Sequence, residues 1–156
     1  MKKCGILAML FFVILTSVCL AEINNRYLLI CFTDGEDFYL DTKTVKIGGK
    51  YDFYDYDVWI KSTYNETGVQ KKLEELNKAN IPTDGYENIS HTMSHIQINY
   101  YSRQLRQLGK TDYSTDNKVL YSYNNYASEW DNIVPDSVGE IIADKIYDLR
   151  PITPKF

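Results

Sequence analysis

Residues 51–82 read YDFYDYDVWIKSTYNETGVQKKLEELNKANIP, and the spacing of their apolar side chains changes once along the way. From Tyr51 to Tyr64 the alternation runs by twos. Tyr54, Tyr56, Val58 and Ile60 fall on one face of an extended chain, and Asp55, Asp57 and Trp59 fall on the other. The pattern predicts a strand with one face packed and one at least partly wet. Beyond Tyr64 the spacing becomes Val69, Leu73, Leu76, the i, i+4, i+7 stripe of an amphipathic helix. Thr67 with Gln70 reads as its capping box and Pro82 as its stop. Lys71, Lys72, Glu75 and Lys78 form its solvated side.

Outward from this junction the same two signals repeat. Upstream, Arg26 to Thr33 reads as a strand ended by Asp34-Gly35, and 37–40 with 44–47 as a second extended stretch. Gly48-Gly49 reads as a two-residue hairpin turn, because glycine takes positive φ without steric cost. Downstream, Ser90 to Tyr101 alternates, Ser102 to Tyr113 continues as a more polar strand, Asp116-Asn117 turns, and Lys118 to Tyr123 closes the series. Ser137 and Glu140 then cap a second helix whose buried stripe is Val138, Ile141, Ile142 and Ile146. The order β-β-β-α-β-β-β-α gives an α+β fold: an antiparallel sheet of about six strands with one or two helices packed on it. Only the connection through the first helix is long enough for a parallel crossover.

The N-terminus carries an export signal. Lys2 and Lys3 precede the uncharged run GILAMLFFVIL (5–15), and a short exit ends at Ala21. Small residues at Cys19 and Ala21 favour cleavage after Ala21 over a retained anchor, and the branched Val18 disfavours lipid attachment at Cys19. The organisation is therefore a signal peptide over 1–21 and one domain over 22–156. About 135 residues bury roughly two-thirds of their unfolded surface in a single core. Without Lys2 and Lys3 the net charge moves from −4 to −6. That excess argues against nucleic acid or an anionic membrane as partner. After cleavage no membrane span remains, and the protein belongs at the cell surface, in the periplasm or outside. Cys31 is then the one cysteine left, in the apolar run YLLICF, and reads as a small core residue.

Catalytic and metal chemistry find little support. His91 and His95 on a strand stand roughly 13 Å apart, too far to share a zinc ion. No serine sits in a nucleophile elbow, and Gly48-Gly49 opens no helix that could cradle phosphate. Asp55 and Asp57, about 6.6 Å apart along one strand face, have a glycosidase-like spacing, but a solvated face explains both. The reading is of a non-enzyme with no cofactor and no metal. What remains is surface: Trp59, Tyr101, Arg103, Arg106 and Lys110 have the aromatic-plus-cation composition of binding hot spots, with the three cations forming a stripe on one strand. They are the expected contacts for a protein partner.

Several short elements carry a family likeness: Tyr39-Leu40-Asp41, then Val58-Trp59-Ile60-Lys61, the tyrosine-rich strands, and 118–123. The most specific is Trp130-x-x-Ile133-Val134-Pro135-Asp136-Ser137-Val138-Gly139-Glu140. In these the chain resembles the surface-adhesin protein E family of bacterial envelope proteins. The resemblance implies a small exported domain built on an antiparallel sheet with helices, and adhesion to a host extracellular-matrix protein as one role. It also implies a pair of cysteines, in the strand after the first helix and in the final helix. The matching places here hold Asn99-Tyr100 and Tyr147 instead. A structural or stress-related envelope protein and a small hydrolase stand as the alternatives.

Overall fold

A computed structural model describes residues 26–48 and 54–149. The expected signal peptide lies outside the described residues. Eight strands and two α-helices are described: β1 (Tyr27–Phe32), β2 (Glu36–Asp41), β3 (Lys46–Ile47), β4 (Tyr56–Tyr64), α1 (Glu66–Lys78), β5 (Ile89–Asn99), β6 (Gln104–Ser114), β7 (Val119–Asn124), β8 (Asp131–Asn132) and α2 (Val138–Asp148). Six strands form an antiparallel path in the order β1-β2-β4-β5-β6-β7, with short β3 added to β4 and short β8 to β6. The fold is α+β as the alternation demands. The α1 connection is no parallel crossover, since β4 and β5 pair antiparallel from Tyr56↔Ile98 to Thr63↔His91. Ile47 pairs with Tyr56, so the β3–β4 connection is longer than the expected two-residue turn, of which Gly49 lies outside the described residues.

The sheet's two faces differ because alternate side chains differ. Tyr56, Val58 and Ile60 of β4 lie beside Ile96 and Ile98 of β5, and α2 closes this face with Ile142, Ala143 and Ile146. Each buried Ile or Val removed from water contributes about 1.5–3 kcal/mol before conformational entropy is counted. Ile141, expected in the buried stripe, is exposed, and Ala143 takes the inner position. The smaller residue lets the helix approach the strands. Ser137 caps α2 as expected, its Oγ accepting from Glu140 N, while the Glu140 carboxylate reaches back to Asp136 N.

Helix α1 is capped by Asn65, two residues before the expected Thr67. Asn65 Oδ1 accepts from Gly68 N, and Asn65 Nδ2 donates to Asp34 O, tying the helix to the β1–β2 turn. The backbones touch there: a Cβ on Gly68 would stand 2.0 Å from Gly35 O. The helix ends before Pro82, at Ala79, with Asn80 in the left-handed region at φ 53°. Ile81 N bonds Leu76 O and Asn80 N bonds Asn77 O, the two bonds of a Schellman stop. Leu76 packs with Tyr86 and Ile89 in a second, smaller core. Between the two cores runs a polar row, Ser62, Thr92 and Asp112, buried side by side on three neighbouring strands.

Candidate functional site

The face opposite α2 carries a connected row of planar side chains. Pairing sets Asp57, Gln97 and Arg106 in one row across β4, β5 and β6, and Trp59, His95 and Gly109 in the next. Asp57 is buried and accepts from His95 Nε2 at 2.8 Å and from Gln97 Nε2 at 2.7 Å. Gln97 Oε1 in turn accepts from Arg106 Nε and Nη2, at 3.0 and 2.7 Å. The Arg106 guanidinium lies 4.7 Å from the centre of the Trp130 ring, and Trp59 stacks on His95 at 4.8 Å. The sequence Trp130–Arg106–Gln97–Asp57–His95–Trp59 is thus one unbroken chain of contacts. Every member is held by a neighbour, so its side-chain entropy is already spent before a partner arrives.

Beside this row lies a hollow of about 450 Å³ lined by Trp59, Met93, Thr111, His91, Tyr113 and the Arg26–Asp41 pair, among others. His91 stacks on Tyr113 at 4.8 Å, and burial, followed by the charge of Lys61, pushes the His91 imidazole down. Arg26 forks onto Asp41, with Nη2–Oδ2 at 2.6 Å and Nε donating to both oxygens. The Asp41 carboxyl is held below its usual range, first by that guanidinium. Aromatic walls with a few fixed polar groups make a surface suited to recognition.

The expected binding residues are dispersed over the fold. Trp59 and Arg106 join the open-face row. Arg103 sits at φ 51° in the turn before β6 and is committed to α2, pairing with Glu140 and, at 2.9 Å, with Asp144. Tyr101 is exposed at the same end, edge-on to Tyr100 and Tyr147. Lys110 lies on the α-helical face, 3.1 Å from Asp112. The cations form no stripe because β6 carries an extra residue: Gln97 pairs with Arg106 but Ser94 pairs with Lys110, which reverses the parity between them. At the two places where the family resemblance implies a cysteine pair, Tyr100 and Tyr147 stack face to face at 3.9 Å.

A second cluster, on the helical face, has no local signature in the sequence. Asp112, fully buried, accepts from Thr92 Oγ1 at 2.6 Å and Tyr86 OH at 2.8 Å, and Thr92 also bonds Tyr64 OH. Lys110 and Lys72 stand alongside, both mostly buried. Burial, and then the nearby Lys110 charge, pushes Lys72 down, while burial pushes Glu36 up. Polar residues scattered through five elements give no local pattern, so only the fold brings them together.

Asp55 and Asp57, the pair with glycosidase-like spacing, are each engaged by other residues. Asp55 Oδ2 accepts from Tyr100 N at 2.7 Å and so fastens the β5–β6 turn, whereas Asp57 is bound within the open-face row. Among the described residues no group of three or more His, Cys, Asp or Glu side chains is placed to hold a metal. No described helix is long and apolar enough to cross a membrane. Cys31 is partly buried in β1 and free, and burial pushes its thiol up, away from the reactive thiolate. The family model described as surface-adhesin protein E matches residues 27–146. No curated protein and no solved structure matches the chain.

Proposed function

Because the chain belongs to the surface-adhesin protein E family, we propose that it is an exported envelope protein that docks a macromolecular partner on the open face of its sheet. The family description points to a surface protein that works by binding. The observation supporting this site is the unbroken row from Trp130 to Trp59, on the face opposite α2, with its two Trp rings, His95 and Arg106 partly exposed. A rigid face rich in Trp and Arg is where binding free energy concentrates, with truncation of a central residue typically costing about 2 kcal/mol or more. A host extracellular-matrix protein is the partner class that the family suggests.

The test is a solid-phase screen of the purified protein against matrix proteins, repeated with Trp59→Ala and Arg106→Ala. Each variant is first checked for an unchanged circular dichroism spectrum. The reading expects a partner whose affinity falls about thirtyfold with either change, the equivalent of roughly 2 kcal/mol. A screen without binders, or binding indifferent to both substitutions, overturns it.

A further inference from the structure

The sheet has an outer edge that the open-face row does not use. β7 is the last strand of the path, and among the described residues no strand lies beyond it. Its six residues, Val119–Asn124 (VLYSYN), include no charge, no proline and no glycine. Exported proteins blunt such edges with lysine, proline or a covering helix, since a row of unpaired N–H and C=O groups invites another strand. Here four of the six residues are exposed, with Val119 at 57 % and Tyr121 at 46 %. The other edge differs: α2 packs against β1.

We propose that the β7 edge receives an extended, uncharged segment of a partner protein, which adds to the sheet as a further antiparallel strand. Another extended backbone matches a row of alternating donors and acceptors spaced along a strand, taking the place of water on them. Side chains define what the segment carries. Tyr121 and Tyr123, with ring centres 6.0 Å apart, stand on the helical face of the edge, across from Asp112 and Lys110. Ser122 faces the other way, its Oγ 2.9 Å from Thr111 Oγ1. A segment alternating aromatic or β-branched residues with small polar ones matches both sides, because cross-strand pairs of those types stabilise a sheet. A second copy of this chain fits less well. The pairing of β6 with β7 slips between Asp112↔Tyr121 and Tyr113↔Val119, so Leu120 is bulged. Two such strands about a two-fold axis would set irregular backbone against irregular backbone.

The experiment uses a fluorescein-labelled peptide of sequence Thr-Val-Tyr-Val-Thr-Val, and a copy N-methylated at alternate residues, with anisotropy as readout. Amide exchange measured by NMR locates the contact. The proposal expects the plain peptide to bind and slow exchange within 119–124, the N-methylated copy to bind at least tenfold more weakly, and Tyr121→Lys or Val119→Lys to weaken binding at least tenfold. Both lysines go to exposed positions, and an unchanged urea midpoint shows that the fold persists. Trp59→Ala leaves peptide affinity unchanged, which separates this edge from the open face. Absent binding, equal binding of the N-methylated copy, protection confined to other strands, or a dimer mass that Tyr121→Lys abolishes would each overturn the proposal.

Discussion

Replacing Asp112 by Asn tests whether the polar row between the two cores is held by its carboxylate. The side chain is fully buried and accepts from Thr92 Oγ1 at 2.6 Å, Tyr86 OH at 2.8 Å and Lys110 Nζ at 3.1 Å. Asparagine keeps the shape and one oxygen. Thr92 can turn its hydroxyl toward Tyr64, so that side adapts. The charge is lost: the Thr92 and Tyr86 bonds fall from the charge-assisted to the neutral range, a difference of about 1 kcal/mol apiece, and Lys110 loses its ion-pair partner. The relief of no longer burying a carboxylate offsets part of this, while Lys110 is left beside Lys72 without its counter-charge. The net expectation is a loss of about 2–4 kcal/mol. With a urea m-value near 2 kcal/mol/M, the midpoint falls by about 1–2 M at constant m. Tryptophan fluorescence reports the transition. Asp116→Asn serves as the control, because its pair with Lys118 lies in solvent, where water and salt screen it. Asp112→Asn combined with Lys110→Met recovers part of the loss if the stranded ammonium is its main source. If Asp112→Asn unfolds within about 0.5 kcal/mol of the parent, the carboxylate does not hold the polar row together.

Other consequences follow from equally local geometry. Arg26→Gln removes the fork on Asp41. Because that carboxyl is held below its unfolded value, its contribution is present above about pH 4 and is lost as pH falls through the folded value. The variant is therefore weaker at pH 7 and loses less stability on acidification, and parallel pH unfolding curves for parent and variant would refute this. Gly68→Ala pushes a methyl against Gly35 O and costs about 1–3 kcal/mol by thermal melting; a neutral effect shows that the turn and α1 can separate freely. A double-mutant cycle of Tyr100→Ala and Tyr147→Ala yields about 0.5–1.5 kcal/mol of coupling if their stack fastens α2 to the sheet, and additive losses deny it that role.

Local periodicity determined the elements. Alternation by two and by 3.6 placed β4, α1 and α2 because each period is fixed by backbone geometry within a few residues. The stripe of α2 came out with Ile142 and Ile146 inside, yet Ile141 outside, since the angular limit of the buried arc depends on how closely the sheet approaches. The caps were half legible. Ser137 is a local signal, whereas Asn65 outcompeted Thr67 because its amide also reaches Asp34 across the β1–β2 turn. Strand parity was beyond the sequence. One extra residue in β6 sends Arg106 to the open face and Lys110 to the helical one, and a bulge is defined only against the strand it pairs with. The same holds for Asp57. Its spacing from Asp55 is written in the chain, but its bonds to His95 and Gln97, 38 and 40 residues away, exist only because β4 and β5 meet in one register. What a chain reveals by itself is whatever depends on near neighbours; which side chains meet across strands is decided by pairing, and pairing is a property of the whole sheet.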